Sequence, residues 1–474
     1  MLGLVIGAAL LPGCGDKPPA KEGAAADPIE ARSGTRIKAR FYQAEPGVQT
    51  FREFFDSKLG VACTFVLAAD QQLRCLPLQF RTSSSEFADP ACSTPIVFVP
   101  RPACDKPAYV FRWETTADHC SSRGRVYQLG EPIDRTFTNS SFLTDGAACS
   151  KISYNLLPGD QANLLGAEVP LDSFVRGQRV PAGSSSGALS PMVIEAEDGA
   201  RGPSGWDVGL GTSCNVVLVD GGYRCIPEPT DTPSFTTYAD ASCSTAVFVN
   251  WAGCPPPRYG LRYDICSVRP QILAVGEPTT NLFSQTRGVC GTQAPSPAGD
   301  YRPAGAVIPA TSFVALTEST GEAGVRVKRR YLAGPGSTKV GSGLFNVARN
   351  EPCRIGTSDG TQWRCGPGGV ASSGSAYADP ACTQPVWAVR SSDSCTTGPS
   401  VYLYDDLLSC PARKTYYKKG DPWTGEVFGV STSYDSNGNK SRRCAPARPD
   451  AGTTYFALTP FPDSDFVPLE LVER

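Results

Sequence analysis

The chain has 474 residues and a formal net charge of −2. It contains no long Lys/Arg block, so electrostatics give no case for a nucleic-acid partner. Its length suits about three domains, and its 48 glycines, 42 prolines and 19% charged residues suit short strands joined by turns rather than long helices. Nineteen cysteines set the compartment. Eighteen fall into three successive sets of six, and even-numbered sets point to disulfides and export, because cytosolic thiols stay reduced. Zinc would need close C-x₂-C pairs, whereas the shortest gap here holds ten residues, between Cys214 and Cys225.

The chain begins with an apolar run, residues 2–11, too short to span a bilayer. It leads into Leu11-Pro12-Gly13-Cys14, which resembles the lipobox of bacterial lipoproteins. The resemblance implies that residues 1–14 are a lipoprotein signal peptide and lipobox, with Cys14 the lipid attachment site. Gly15 follows the cysteine where an Asp would retain the protein at the inner membrane. By resemblance to the enterobacterial sorting rule, the expected destination is the outer membrane. Residues 15–34 are rich in Ala, Pro, Gly and charge and read as a disordered tether.

Beyond the tether, four landmarks recur in constant order. Arg precedes the second cysteine of each set (Arg74, Arg224, Arg364). An aromatic-Ala-Asp motif precedes the third (Phe87-Ala88-Asp89, Tyr238-Ala239-Asp240, Tyr377-Ala378-Asp379). A Gly-acid-Pro turn follows the fifth (Gly130-Glu131-Pro132, Gly276-Glu277-Pro278, Gly420-Asp421-Pro422). VPLDSFV (169–175), IPATSFV (308–314) and FPDSDFV (461–467) close the copies. The repeats run over 35–178, 190–318 and 324–474, with Gly177 to Ser190 the clearest linker.

Within a copy the local signal is strand. RIKARFY (36–42), TFREFF (50–55), CTFVL (63–67), PIVFVP (95–100), YVFRW (109–113) and RVYQLG (125–130) are short and rich in β-branched and aromatic residues. The first two cysteines of each set, Cys63 and Cys75, Cys214 and Cys225, Cys353 and Cys365, bracket hairpin turns. Counting outward from Ser358-Asp359-Gly360 places Cys353 directly opposite Cys365, within disulfide range. The pairing of the other twelve stays open: Cys92, Cys104, Cys120 and Cys149; Cys243, Cys254, Cys266 and Cys290; Cys382, Cys395, Cys410 and Cys444. Third with fifth fits the second copy best. The expected fold is all-β, three tandem disulfide-rich repeats of short antiparallel strands. Two four-stranded blades per repeat would close as a six-bladed β-propeller; the alternative is three separate β-sandwich-like domains.

Catalytic signals are sparse. The one histidine, His119, occurs in the first copy only, and a Ser–His–Asp or Cys–His site would need it as proton shuttle. No phosphate-cradling glycine loop or HExxH occurs, so nucleotide binding and zinc proteolysis have no support and no cofactor is expected. Asp89, Asp240 and Asp379 recur, which suits a turn former better than the dissimilar carboxylates of a glycosidase; the Arg before the second cysteine is their expected partner. Glu195, Glu197, Asp405 and Asp406 are the copy-specific acids an enzyme would draw on. Six tryptophans read mainly as core, and Trp251, in a predicted loop, is the ligand-binding candidate.

Anchor and repeats together resemble uncharacterised cysteine-rich repeat lipoproteins of myxobacteria and related bacteria, a resemblance that implies no activity. The expected function is therefore a membrane-anchored, non-catalytic binding or envelope-interaction protein, with a glycan or another envelope protein as partner. The alternative is a glycan-processing hydrolase.

Overall fold

The computed structural model describes residues 29–474 except 78–80, 83–85, 100–106, 117–119, 134–140, 145–148, 153–160, 183–187, 210, 235, 264–269, 287–288, 338, 358–361, 368–375, 391–400, 407–412, 435–439 and 448–451. The lipobox with Cys14, most of the tether, Cys104, His119, Cys266, Cys395, Cys410 and the turn at 358–360 lie outside the described residues.

The described chain is all-β, with three single turns of 3₁₀ helix at Leu171–Ser173, Ala310–Ser312 and Asp463–Asp465. All six segments singled out in the first copy are strands, from Ile37–Glu45 through Ser122–Pro132. Each copy lays down a four-stranded antiparallel meander, then an outlying lobe, then a closing strand. In copy one the meander is Ile37–Glu45, Val48–Asp56, Val61–Leu67 and Leu73–Leu76, and the closing strand is Arg176–Pro181. In copy two they are Leu189–Ala196, Arg201–Val208, Thr212–Val219 and Gly222–Pro227, closed by Val314–Thr320. In copy three they are Val327–Ala333, Val340–Asn346, the segment Glu351–Thr357, and Trp363–Gly366, closed by Val467–Glu473.

Each closing strand pairs first with the fourth strand of its own copy and then with the first strand of the next. Arg176 lies opposite Arg74 while Pro181 lies opposite Met192. Cys225 lies opposite Val314 while Thr320 lies opposite Arg330. Val467 lies opposite Cys365 while Glu473 lies opposite Arg40, which returns the pairing to copy one. The sheet order runs through sixteen segments, and its two ends, Glu351–Pro352 and Arg354–Thr357, are consecutive in the chain on either side of Cys353. The Cys353 amide also donates to Leu344 O at 2.8 Å. The strands therefore form one closed ring, five from each copy, which leaves no exposed edge. This replaces the six-bladed propeller, whose blades would be separate sheets around a channel.

The core of the ring lies where copies meet. Ile37, Phe54, Cys63, Cys75 and Val175 of copy one pack against Ala196 and Ala200 of copy two. Leu189, Val193, Trp206, Cys225 and Leu316 of copy two pack against Leu332 and Val340 of copy three. Val327, Leu344, Cys365, Val467 and Leu469 of copy three pack against Tyr42 and Val48 of copy one. Each buried Val, Leu or Phe stabilises by roughly 1.5–3 kcal/mol, so a meander without its neighbour exposes much of its apolar face.

The lobes carry the separate, sandwich-like units. Each holds a larger sheet of four or five strands and a second sheet of three, inserted between the fourth ring strand and the closing strand. Lobe one docks on the ring through Leu76, Phe111, Val126 and Phe174, and lobe two through Ile226, Leu261, Ile272 and Ala310. Copy three has Gly366 where the others have Leu76 and Ile226. A Cβ there would come within 2.5 Å of the Tyr416 ring, which fills the space and stacks on Phe466 at 5.1 Å.

The end of the predicted tether is part of the ring. Ile29 is 4% exposed and joins the copy-two core. Ala31 packs with Ala39 and Phe41, and Arg32 exchanges backbone hydrogen bonds with Arg201 at 2.8 and 3.0 Å. Ser33 donates its hydroxyl to the carbonyl of Arg474. The segment from Ile29 to Gly34 is thus ordered, a correction to the expected tether of 15–34. Its polar composition conceals two apolar residues that have a prepared place to bury.

Candidate functional site

The recurrent aspartates are turn holders. Asp89 accepts backbone hydrogen bonds from Ala91 at 2.9 Å and Thr94 at 2.6 Å, and the Ser93 hydroxyl at 3.0 Å. Asp379 accepts from the Thr383 and Gln384 amides at 2.9 and 2.7 Å. Asp240 is caged by Ser242, Ser244 and Thr245. Desolvation, the largest single influence on Asp89, pushes its carboxyl up, but the combined hydrogen bonds from Thr94 and Ser93 bring it down to about 2. The Ser242 hydroxyl first, and the Thr245 and Ser244 amides after it, hold Asp240 well below the usual range; the Gln384 amide leads the same effect on Asp379. What the cage fixes is the next cysteine. Cys92, Cys243 and Cys382 sit at φ of 50°, 52° and 52°, a left-handed conformation unfavourable for a side chain with a Cβ.

Those third cysteines pair with the sixth: Cys92–Cys149, Cys243–Cys290 and Cys382–Cys444, each with Cα atoms 5.8 Å apart. This replaces the third-with-fifth pairing expected from the second copy. The hairpin cysteines are joined as Cys63–Cys75, Cys214–Cys225 and Cys353–Cys365, but diagonally. Ile355, not Cys353, lies opposite Cys365, and Val216, not Cys214, lies opposite Cys225. The Cα separations of 5.0–5.3 Å still suit a disulfide. Cys120 is bonded to Cys254, the fifth cysteine of copy one to the fourth of copy two. Nothing local announces a bond across 134 residues.

The arginines before the second cysteine do not reach the aspartate cages. They bind carbonyls of the closing turn instead: Arg74 to Phe174 at 2.8 Å, Arg224 to Ala310 at 3.1 Å, and Arg364 to Asp463 at 3.1 Å. Each guanidinium thereby ties the fourth ring strand to the point where the chain re-enters the ring; Arg74 also pairs with Asp70 at 2.7 Å. In the Gly-acid-Pro turn the acids are exposed and the glycine carries the constraint. A Cβ on Gly130, Gly276 or Gly420 would come within 2.7, 3.0 or 3.2 Å of a carbonyl oxygen on the neighbouring strand. Of the copy-specific acids, Glu195 pairs with Arg201 at 3.5 Å and Glu197 with Arg176 at 2.9 Å. Asp405 and Asp406 end the strand Val401–Asp406.

Trp206 and Trp387 are buried, at 4% and 6% exposure, whereas Trp251 is 43% exposed. Trp251 ends the strand Val247–Trp251 rather than lying in a loop, and its carbonyl accepts the Cys254 amide at 3.1 Å.

The strongest concave site lies where the second ring strands of the three copies converge on the N-terminal segment. A cavity of about 420 Å³ is bounded by Ile29 and Ala31, by Tyr42 and Thr50–Arg52 of copy one, by Pro203 of copy two, and by Arg329, Gly341–Gly343 and Ile355 of copy three. Arg52 is held 4.5 Å from the Trp363 ring centre and 5.0 Å from that of Tyr42, and pairs with Glu53 at 3.2 Å. Arg329 binds Glu30 at 3.0 Å, yet its buried Nε has no hydrogen-bond partner. Burial pushes the Tyr42 phenol up to about 12 against the opposing effect of Arg52, so it remains a neutral hydrogen-bond donor at physiological pH. Guanidinium, phenol and hydroxyl groups beside aromatic and aliphatic walls give a site able to bind a small polar compound. Four separated stretches build it, one or two residues from each, so no local motif marks it. Among the described residues no cluster of three or more His, Cys, Asp or Glu is placed to hold a metal ion.

No curated protein and no solved structure matches the chain. A family model of unknown function, DUF7481, matches residues 29–313, from the first ordered residue of the N-terminal segment to the closing turn of copy two. The third copy, which completes the ring, lies beyond that match. The chain belongs to the DUF7481 family of unknown function.

Proposed function

We propose that this protein is an exported, non-catalytic binding protein of the bacterial cell envelope, anchored to the outer membrane by lipid on Cys14 and similar to the cysteine-rich lipoproteins of myxobacteria. The cavity at the centre of the ring carries the reading. It combines guanidinium groups, a neutral phenol and aromatic faces, the combination that receives an oxygen-rich ligand such as a glycan. Dense disulfides suit an oxidising compartment, and a ring that needs its N-terminal segment puts the anchor close to the ligand site. Copies that recur only in turn-holding residues favour binding over catalysis.

A glycan array probed with the chain from Ile29 onward tests the binding claim. Starting at 35 would remove part of the cavity wall. The expected result is a defined set of bound glycans, with signal reduced at least tenfold in Arg52→Ala. An empty array, or binding unchanged by that substitution, would overturn it. The anchor is tested separately: palmitate labelling should vanish in Cys14→Ser, and labelling that persists would refute it.

A further inference from the structure

The Cys120–Cys254 bond is a relation between neighbouring copies, and the ring contains that relation three times. Cys254 precedes the lobe strand Tyr259–Tyr263, and Cys120 follows the corresponding strand of lobe one, Tyr109–Thr115. Cys104 and Cys395 likewise precede Tyr109–Thr115 and Val401–Asp406, while Cys266 and Cys410 follow Tyr259–Tyr263 and Val401–Asp406. The fourth and fifth cysteines of a copy therefore stand off opposite ends of one strand. Such a strand of five to seven residues is roughly 16–23 Å long at about 3.3 Å per residue, which disfavours pairing within a copy.

Each lobe is seated between the fourth ring strand and the closing strand, fixed by its arginine-to-turn hydrogen bond. The three junction cores use equivalent residues, including the junction that returns copy three to copy one. The step from lobe one to lobe two is thus repeated from two to three and from three to one. Fourteen of the eighteen module cysteines are paired in the seven described bonds, which leaves Cys104, Cys266, Cys395 and Cys410. Of the three ways to pair four cysteines, one repeats the observed relation.

We infer that Cys266 is disulfide-bonded to Cys395 and Cys410 to Cys104, so that with Cys120–Cys254 the three lobes are joined into a covalent belt around the ring. Each bond forms when two thiols lose two protons and two electrons to a disulfide-bearing oxidant of the exporting compartment, which leaves as a dithiol. The inference rests on the proposal of export for that oxidant but not on any ligand.

The test is a disulfide map of the exported full-length protein, alkylated and digested without reductant. Linked peptides containing Cys266 with Cys395 and Cys104 with Cys410 are expected. Cys395 with Cys410 and Cys104 with Cys266, or Cys104 with Cys395 and Cys266 with Cys410, would overturn the belt while leaving export intact. Alkylation of all eighteen module cysteines would overturn export and the belt together. An independent readout uses a protease site placed between Thr320 and Val325. The nicked chain should run as one band without reductant and as two with it; two bands in both lanes would refute the belt.

Discussion

The ring and the lobes hold themselves together in opposite ways. In the ring, every large apolar cluster spans two copies. In the lobes, the fixed features stay within one copy: an aspartate cage, a third-to-sixth disulfide and a pair of small sheets. The sequence repeat is therefore a structural unit in the lobe but not in the ring, where the unit is the junction. That difference explains how one module can occur three times and still need all three: lobes diverge one at a time, while ring positions change only in concert with a neighbour.

The most severe way to break the comparison is to open the ring. Removal of residues 324–474 strips Tyr42 and Val48 of their partners in copy three and leaves two sheet edges bare. The fragment 29–320 is expected to lose near-ultraviolet circular dichroism and to aggregate; a dispersed, monomeric spectrum would mean that copies one and two suffice. A smaller step is Leu344→Ala at the closing junction, where the residue is 1% exposed. It should cost about 2–5 kcal/mol in denaturant unfolding. Smaller again is Arg224→Ala, which removes a link between ring and closing turn without touching a junction core. A loss of about 1–3 kcal/mol is expected in the same measurement, with the ring still closed.

The mildest perturbation is confined to a lobe. Asp89 has its carboxyl held at about 2, below the usual value of about 3.9 for an unfolded chain. A depressed folded pKa contributes stability that is present above about pH 4 and is lost as pH falls through about 2. Asp89→Asn should therefore lower the melting temperature slightly at pH 7, and the difference from the parent should shrink as pH falls from 4 to 2. A difference that stays constant over that range would show that the carboxylate charge is not what holds the turn.

Much of this organisation was legible in the sequence. Strands such as Ile37–Glu45 and Tyr109–Thr115 announce themselves through β-branched and aromatic residues between turn formers. Asp89, Asp240 and Asp379 were readable as turn holders because their recurrence before a turn has a local cause. The ring was not legible, because the residues VPLDSFV look like the end of a copy, while their strand bridges Leu73–Leu76 and the next copy's Leu189–Ala196. Pairings across about 100 residues leave no local pattern. The diagonal hairpin disulfides were missed by counting from a turn whose length shifts the register by two. Ile29 and Ala31 were hidden in a polar stretch, and the cavity they help to form draws on segments no motif connects.

Hydrogen exchange of Leu344→Ala, read peptide by peptide, bears most directly on the claim that the copies form one interdependent ring. A junction shared between copies three and one should pass the loss of protection to Ile37–Glu45 and Val48–Asp56 as well as to Val340–Asn346. Loss confined to residues 324–474, with copy one fully protected, would contradict the closed ring and return the molecule to three independent modules.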